Sequence, residues 1–509
     1  MNLPFGTDRK IRLGIWGLGR GLNFIHSARA LNIEVVAGCD ITPMMRQNFA
    51  SIAPDAYVTD NEDDFLAQDF DAVLIATFFR DHARHTIKAL EAGKHVMCEV
   101  TSFFTPAEGV AVVEAVEKSG KVYNLLENYP FSRENLFLRQ LWQEGLFGDF
   151  MYAEYDYVHE CRALSYAWNV NGGVPVEPGW TVHNWRSLLN YHYYNTHSLG
   201  PVMAITGTRP VSVTAPPCDV TLDGFLEGVR KGTACPSLIK MDNGGVVRNL
   251  MGSTTGDFHT SGRIWGTRAS ADKMGPLKIR IGGSGFGMQL NVNPEWPEMK
   301  ELANQAGHGG GDFWELYYFA RQILTGQPAP WDIYSAADVT LTGIMAAISC
   351  QNNGDPTPIP DFRKPDVRDQ FRHDHRVVWP TDVDTQNLFP EGHDTAITGH
   401  FSSVMTAFYP CQGMSGLPLV REAFDGIRLY PHLADANGRL QVISAVNKLL
   451  RDLPSLQQNV AKAQRIADAY PNTIPGKTIR RLLDHNDAIP RILDADATRA
   501  TLQNWLASL

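Results

Sequence analysis

The chain has 509 residues, of which 44% are hydrophobic and 20% are charged, a balance that excludes wholesale disorder. Its 45 lysines and arginines and 55 aspartates and glutamates give a formal net charge of −10, so no basic excess exists to bind nucleic-acid phosphates. No run approaches the roughly 18 apolar residues that a membrane helix needs, and we expect neither nucleic acid nor membrane as a partner.

The sequence also bears on the compartment. The opening residues MNLPFGTDRKIRLGIW lack an apolar stretch followed by a small-residue cleavage site, so they do not predict a signal peptide. Seven cysteines stand at scattered positions without a CxxC pair, which is typical of reduced thiols and not of a disulfide framework. We therefore expect a cytoplasmic protein.

Short apolar runs alternate with helical patterns over about the first 125 residues, which indicates a doubly wound parallel sheet. A helix start is predicted at Thr105, Pro106 and Glu108. The threonine side chain can cap the helix N-terminus, proline suits the first helical position, and the glutamate side chain can accept a hydrogen bond from the backbone N–H of the capping residue. The predicted strands are 11–16, 34–39, 71–77 and 95–99, and a helix is predicted over 82–92.

After residue 131 the pattern changes to that of a second domain. A predicted helix at 134–143 leads to an alternating strand at 151–159, and further strand-like segments suggest a mainly antiparallel sheet. From about residue 418 the pattern is mostly helical. The later strands are predicted near 211–215, 245–251 and 277–281, and the helices at 440–453, 457–470, 479–483 and 498–506.

These patterns predict an α/β protein with three parts. Residues 1–129 form a doubly wound domain of the Rossmann type, residues 130–365 form an α+β domain, and residues 366–509 form a mostly helical C-terminal extension. A cluster of proline and aspartate over 355–369 supports the second boundary.

The first predicted strand runs into a glycine-rich turn, Gly17-Leu18-Gly19-Arg20-Gly21. Such a turn lets backbone N–H groups approach a pyrophosphate at a helix N-terminus, although the strict GxGxxG pattern has its third glycine one residue later. Asp40 ends the second strand 21 residues after Gly19, where an acidic side chain would hold ribose hydroxyls. Because this carboxylate repels a 2′-phosphate, NAD is favoured over NADP. Asp40 could alternatively be only a turn residue.

With its glycine-rich turn and Asp40, the first part of the sequence resembles the Gfo/Idh/MocA family of NAD(P)-dependent proteins. Thr77, His82 and the run GKHVMCE at 93–99 match its third and fourth strand ends. Dehydrogenases of the family continue with Glu-Lys-Pro, whose lysine helps to polarise the substrate hydroxyl. Here the tripeptide is Glu99-Val100-Thr101, so simple dehydrogenase activity is in doubt.

The middle of the chain is similar to family 109 of the glycoside hydrolases, which share this fold and carry Glu-Val in place of Glu-Lys. The resemblance spans roughly residues 10 to 362 and implies a small-molecule carbohydrate substrate. It rests on Glu127-Asn128, the GLFG turn at 145–148, YVH at 157–159, NWR at 184–186, YNTHSLGP at 194–201 and GHGGGD at 307–312.

The resemblance implies hydrolysis through transient oxidation. Bound NAD+ takes hydride from C3 of the sugar, the ketone acidifies the C2 proton, a base removes it, the aglycone leaves, water adds and NADH returns the hydride. By their places in the motifs, Tyr157 and His197 are the candidates for the proton roles. Arg186, Tyr194 and His308 are expected to bind substrate.

The same reasoning predicts a set of cofactor contacts at the strand ends. These are Gly17, Leu18, Gly19, Arg20, Gly21, Asp40, Phe79, His82, Glu99, Val100, Asn128 and His197.

Each candidate has a structural alternative. Tyr157 could belong to an aromatic sheet face with Tyr155, and His197 could cap a helix or lie in the core. His308 could anchor its loop. A metal cluster built from His159, His183, His192 and Glu160 matches no standard ligand spacing, so no metal is expected.

The sequence therefore favours an NAD-dependent glycosidase that acts on a carbohydrate, with a homo-oligomer as the expected state. One alternative is a sugar or polyol dehydrogenase in which His197 or Tyr157 replaces the missing lysine. A second alternative is an NAD-binding regulator without turnover.

Overall fold

The fold is described by a computed structural model that covers residues 5–160, 162, 165, 174–177, 180–182, 190–226, 232–253, 258–282, 287–378, 401–410 and 416–509. Its N-terminal strands are β1 (Ile11–Trp16), β2 (Ile33–Cys39), β3 (Tyr57–Thr59), β4 (Ala72–Ile75), β5 (His95–Glu99) and β6 (Tyr123–Leu126). They form a six-stranded sheet in the order β3-β2-β1-β4-β5-β6, and every neighbouring pair is parallel. This is the predicted doubly wound sheet, with its order reversing between β1 and β4.

Helices cross between these strands, as the alternating pattern predicts. The start of the helix after β5 has the predicted capping box, in which Thr105 Oγ1 accepts from Glu108 N and Glu108 Oε2 accepts from Thr105 N. The helices are α1 (Ile25–Ala30), α2 (Pro43–Ile52), α3 (Glu62–Leu66), α4 (His82–Glu91) and α5 (Pro106–Ser119).

The second sheet has nine strands in the order β16-β15-β14-β13-β7-β12-β11-β10-β17. Only β7 and β12 pair in parallel among the described strands of this sheet, so it is mainly antiparallel, as predicted. Its strands are β7 (Phe150–His159), β10 (Pro210–Thr214), β11 (Ala234–Met241), β12 (Val246–Gly252), β13 (Phe258–Gly266), β14 (Ala269–Asp272), β15 (Lys278–Ile281), β16 (Met288–Asn291) and β17 (Thr357–Pro358), while β8 (Val174–Glu177) and β9 (Trp180–Val182) pair separately.

Further helices pack against both sheets. One of them, α10, is long and apolar enough to cross a membrane, but 83% of its apolar window is buried inside the protein, which is the behaviour of a core helix. These helices are α6 (Arg133–Gln143), α7 (Thr196–Thr206), α8 (Lys300–Gln305), α9 (Gly311–Thr325), α10 (Ile333–Gln351) and α11 (Pro365–Asp369).

The C-terminal part is helical, as predicted, but the sequence divided one helix in two. Pro454 lies inside a helix of 34 residues, where the pattern had suggested separate helices at 440–453 and 457–470. Proline removes one backbone hydrogen bond, but the buried Leu449, Leu453 and Leu456 hold the chain on both sides of it. The helices are α12 (Phe401–Phe408), α13 (Leu417–Leu429), α14 (Ala436–Ala469), α15 (Ile474–His485), α16 (Ala488–Leu493) and α17 (Ala495–Ala507).

Buried apolar side chains form two large cores. The first runs from Ile11 to Phe362 and joins both sheets, and the second draws on Leu226 and the helices from Phe401 to Leu502. Residues just beyond 365 still pack on the first part, since Arg372 forms an ion pair with Glu114 of α5 at 2.6 Å. The predicted boundaries at 129/130 and 365/366 stay predictions.

Candidate functional site

The glycine-rich turn lies at the carboxyl end of β1, where the order of the parallel sheet reverses. Gly17 has φ of +96°, and a Cβ there would lie 2.4 Å from the carbonyl oxygen of Ala76, so the neighbouring strand end demands glycine. A Cβ on Gly21 would lie 2.5 Å from Ile15 Cγ2, so this glycine permits close packing on β1. By contrast, a Cβ on Gly19 would meet nothing within 4 Å. The turn therefore borders open space at the position where a pyrophosphate would approach.

Asp40 lies at the end of β2 beside this turn. Its Oδ2 accepts a hydrogen bond from Leu18 N and its Oδ1 accepts one from Thr42 N, each at 2.7 Å. The carboxylate is thus fixed between the glycine-rich turn and the start of α2. An acidic side chain that binds ribose hydroxyls stands at this strand end, so Asp40 and the glycine-rich turn fit a dinucleotide.

Arg20 connects the glycine-rich turn to the end of β5 and to the start of α9. Its Nε donates to Glu99 Oε1 at 2.8 Å, and its two terminal nitrogens donate to the two oxygens of Asp312, also at 2.8 Å. Burial opposes ionisation of Asp312, but the hydrogen bonds from Arg20 and His308 hold its pKa below the usual range. The fork therefore ties the turn, the end of β5 and the start of α9 together.

Sequence reasoning missed Glu315, one turn after Asp312 on α9. Glu315 is 3% exposed, and neither carboxyl oxygen has a hydrogen-bond partner among the described residues. Burial, reinforced by the charges of Asp312 and Glu99, raises its pKa well above the usual value, so the group is held neutral. The sequence signal for Glu315 was its position three residues after Asp312, because residues three apart on a helix are neighbours on its surface.

His197 lies in the first turn of α7 and pairs with a buried carboxylate. Its Nδ1 lies 2.8 Å from both oxygens of Glu127, which is 0% exposed and follows β6. Glu127 Oε1 also accepts from Tyr129 N at 3.2 Å. With Nδ1–H donated to the carboxylate, the other ring nitrogen of the neutral imidazole is an acceptor.

Three tyrosine rings surround this imidazole. Their centroids lie 4.6 Å (Tyr129), 4.7 Å (Tyr157) and 4.3 Å (Tyr194) from that of His197. Val100, directly after β5, packs against the same aromatic group. The structure thus brings together the two predicted proton-transfer residues and the predicted substrate residue Tyr194.

Tyr129 was not predicted from the sequence. Burial first, and then the neighbouring Tyr157, raise the pKa of Tyr129 well above its usual value. Its hydroxyl therefore stays protonated and can act as a donor beside Tyr157. The sequence signal for Tyr129 was its position directly after the Glu127-Asn128 motif.

His308 and Asn128 meet at the same carboxylate that holds Arg20. His308 Nδ1 lies 2.9 Å from Asp312 Oδ1, and Asn128 Nδ2 donates to that oxygen at 3.2 Å. The His308 ring lies 5.9 Å from that of Tyr129, so it borders the tyrosine group. Its predicted contact with substrate and that of Asn128 with cofactor stay predictions.

His82 and Phe79 lie at the same edge of the first sheet, after β4. His82 is 1% exposed, and its ring nitrogens lie 2.7 Å from the carbonyl oxygen of Thr101 and 3.1 Å from that of Thr77. Burial lowers its pKa. In this position His82 holds two strand ends together, while the predicted cofactor contacts of His82 and Phe79 stay predictions.

Two predicted residues lie outside the described part of the chain. These are Arg186, expected to bind substrate, and His183 of the rejected metal cluster. Within the described ranges, no group of three or more His, Cys, Asp or Glu side chains could hold a metal ion. His192, another residue of that cluster, is fully buried, and burial lowers its pKa to about 3.

The helical extension is anchored near the end of β7, the strand that carries Tyr157. Arg162 is 3% exposed and pairs with Glu160 at 2.5 Å and Asp223 at 3.0 Å. Its guanidinium lies 4.0 Å from the ring centroid of Tyr409, whose hydroxyl donates to Asp223 at 2.8 Å. The extension thus contacts the chain just beyond the end of β7.

Two family models match the chain. Residues 11–126 match the Gfo/Idh/MocA oxidoreductase family with an NAD-binding Rossmann fold, and residues 291–368 match the C-terminal domain of glycosyl hydrolase 109. A glycosyl hydrolase family 109 protein of Stenotrophomonas maltophilia is 27% identical over 414 residues, covering 70% of this chain and 90% of the relative. One from Saccharopolyspora erythraea is 26% identical over 409 residues, covering 72% and 86%.

Solved structures share the fold. Levoglucosan dehydrogenase in complex with NADH has a TM-score of 0.57 at 18% identity, and an oxidoreductase domain protein from Kribbella flavida has 0.59 at 17%. Each match covers 69% of this chain and 100% of the other. The predicted fold class is confirmed. Residues 11–126 thus match a Gfo/Idh/MocA oxidoreductase family with an NAD-binding Rossmann fold and residues 291–368 match the C-terminal domain of glycosyl hydrolase 109, which confirms the resemblance inferred from the sequence.

Proposed function

We propose that the chain is an NAD-dependent glycoside hydrolase that works by transient oxidation at C3, deprotonation at C2, elimination, water addition and re-reduction. The observation that carries this proposal is the buried His197–Glu127 pair inside a ring of tyrosines, beside Val100 at the end of β5. At that strand end a dehydrogenase of the family would present a lysine. Imidazole and phenol groups are instead available for the proton transfers.

The cofactor would be held by the glycine-rich turn and Asp40. Open space at Gly19 leaves room for a pyrophosphate, and the fixed carboxylate of Asp40 suits the ribose hydroxyls. When bound, NAD+ supplies a reversible hydride acceptor for C3. The fork from Arg20 to Asp312 and Glu99 keeps the turn rigid on the side of the second domain.

His197 is assigned to the proton of the C3 hydroxyl. Glu127 fixes the tautomer of the neutral imidazole, since its carboxylate accepts from Nδ1–H and the other ring nitrogen is then the acceptor. That nitrogen accepts the hydroxyl proton as the alcohol becomes a ketone, and returns it when the ketone is reduced. Glu127 is a positioning residue in this scheme.

Tyr157 is assigned to the C2 proton. Its ring lies 5.4 Å from that of Tyr129, which keeps its own proton and can donate to a developing phenolate or enolate. Once C2 is deprotonated, the electron pair expels the aglycone from C1. Water then adds to the unsaturated ketone: its oxygen bonds to C1, one of its protons passes to the aglycone anion, and Tyr157, whose phenolic proton exchanges with solvent, returns a proton to C2.

A sugar dehydrogenase is the second candidate, because the same His197–Glu127 pair would serve as a base for simple alcohol oxidation. The two functions differ in their redox balance. A dehydrogenase accumulates NADH with each sugar oxidised, whereas the hydrolase releases free sugar without net NADH.

Deuterium exchange at C2 tests the proposal. Aryl glycosides and aryl thioglycosides of common sugars are incubated with the NAD-loaded protein in D2O, and the released sugar is examined by NMR and mass spectrometry. We expect one deuterium at C2, no net NADH, and cleavage of thioglycosides, because elimination needs no protonation of a basic leaving oxygen. A conventional glycosidase uses two carboxylates and leaves C2–H intact.

Two variants assign the proton roles. His197→Ala and Tyr157→Phe are each expected to lower turnover by about 10²–10⁴-fold while the NAD content of the purified protein stays unchanged. Cleavage without deuterium at C2 would contradict the mechanism. Sugar-dependent NADH formation without cleavage would identify the dehydrogenase, and NAD binding with neither activity would identify a regulator.

A further inference from the structure

A cavity borders the carboxyl end of α7, the helix whose first turn carries His197. It has a volume of about 370 Å³ and lies between α6, the carboxyl end of α7 and α10. Cavities of this size accommodate small molecules. His197 is in the first turn of α7, whereas the cavity borders that helix only from Met203 onward, so the two sites lie along different stretches of the helix.

The lining of this cavity carries excess positive charge. Arg139, Arg209 and Arg363 border it, and Asp338 is the one acidic residue among the lining side chains. In the described part of the chain Arg139 forms no hydrogen bond or ion pair. This guanidinium is therefore available to an anion, and the arginine fork suits carboxylate and phosphate.

Two buried polar atoms in the lining have no partner in the described structure. Asp338 is 1% exposed, and its Oδ2 accepts from Arg363 Nη1 at 2.7 Å, but its Oδ1 accepts no hydrogen bond. The nearest guanidinium nitrogen of Arg209 lies 3.8 Å from that oxygen. Trp331 is 2% exposed, and its indole N–H also has no acceptor. Buried groups of this kind are normally paired, so they call for a ligand or bound water.

Together, these groups define the chemistry of a ligand. A free guanidinium binds an anionic group, the Trp331 N–H donates to a hydroxyl oxygen, and Asp338 Oδ1 accepts from an O–H group. Trp142 also lines the cavity, and it is held by stacking on Phe147 at 4.8 Å. An indole in a fixed position offers an apolar surface for a sugar ring.

We propose that this cavity is a binding site for a small hydroxylated anion, a sugar phosphate or a sugar acid, with Arg139 holding the anionic group. The two ligand types share this chemistry. The site does not depend on the glycosidase proposal, since none of its residues takes part in the proton transfers.

Calorimetric titration of the full-length protein, with NAD+ saturating so that its own phosphate site is filled, tests the proposal. The probes are glucose 6-phosphate, glucuronate, glucose and inorganic phosphate. We expect at least one anionic sugar to bind with a stoichiometry of one and about tenfold or more tighter than glucose. Preference for glucose 6-phosphate identifies the phosphate source, and preference for glucuronate identifies the carboxylate source.

Matched variants locate the binding. Arg139→Ala is expected to lower the affinity for the preferred anionic sugar by about tenfold or more, and Arg139→Lys is expected to retain part of that affinity. Arg428→Ala, an exposed arginine on α13, is the control and leaves binding unchanged. Trp331→Phe removes the indole N–H together with part of the ring, and it is expected to weaken binding of the sugar anion but not of inorganic phosphate.

The proposal is overturned if no probe gives heat at millimolar concentration, or if glucose binds as tightly as both anions. It is also overturned if Arg139→Ala and Arg428→Ala have the same effect, because binding would then reflect overall charge and not this cavity.

Discussion

At the scale of single residues, the environment of His197 is set by one carboxylate. Glu127 lies 70 positions earlier in the chain and is fully buried, with both oxygens 2.8 Å from the imidazole Nδ1. A carboxylate in that place selects one tautomer and one ring orientation. The assignment of His197 as a proton acceptor therefore depends on Glu127.

Glu127→Gln is expected to lower kcat by about 10²-fold, since a misaligned imidazole loses its reacting geometry. NAD content is expected to match wild type, and Glu127→Asp is expected to recover part of the rate. Steady-state kinetics and the nucleotide released on denaturation measure both effects. Loss of NAD in parallel with loss of rate would indicate that Glu127 only supports the fold.

Asp40 gives the second residue-scale prediction. Asp40→Ala removes the carboxylate that would accept from ribose hydroxyls, and NAD binding is expected to weaken by roughly 1–3 kcal/mol, or about tenfold or more. The control is Asp60→Ala, because Asp60 pairs with Arg46 at 3.1 Å nearby but is largely exposed. Equal NAD affinity in Asp40→Ala and wild type, measured by titration, would remove Asp40 from the site.

At the scale of elements, the start of α9 carries acidic side chains in opposite protonation states. Asp312 is ionised by its fork with Arg20, whereas Glu315, one turn later, is buried without a partner in the described structure and is held neutral. This contrast follows from hydrogen bonding to one carboxyl and not to the other. It predicts a measurable pH dependence of stability.

Because the pKa of Glu315 is raised in the folded protein, the unfolded chain loses this proton first as pH rises from about 4.5. The contribution of Glu315 to the free energy of unfolding is therefore full at low pH and falls by about 1.4 kcal/mol per pH unit above that value, until the folded pKa is reached. In Glu315→Gln the side chain does not titrate, so this pH-dependent loss of stability is absent. Its stability relative to wild type should therefore be greater at pH 8 than at pH 5.

Urea unfolding of Glu315→Gln and wild type at both pH values measures this difference. The exposed Glu301→Gln on α8 is the control and should show no such trend. A stability difference for Glu315→Gln that stays constant with pH would mean that Glu315 is ionised in the folded protein.

At the scale of the whole molecule, two cores predict separable unfolding. Leu449 and Leu74 are both 0% exposed, the first in the helical extension and the second in β4. Replacing either with alanine is expected to lower the stability of its own core by about 2–5 kcal/mol. In scanning calorimetry, Leu449→Ala should shift one transition and Leu74→Ala the other. A single transition lowered equally by both variants would show that the cores unfold together.

The sequence by itself determined the local parts of this protein. The bounds of β1 and β5, the capping box at Thr105 and the places of Gly17 and Asp40 follow from patterns within a few residues. Such patterns are informative because helix caps and strand alternation depend on near neighbours. The single helix through Pro454 is the exception, since packing of leucines on both sides overrode the local signal.

Only the tertiary structure decided which side chains act together. Arg20 and Asp312 are 292 positions apart and His197 and Glu127 are 70 apart, yet each pair is within 2.8 Å. The raised pKa of Glu315 and the cavity at Asp338 likewise exist only because elements distant in the sequence pack together. No local pattern encodes these contacts, because they arise when the ends of separate strands and helices pack against one another around a buried core.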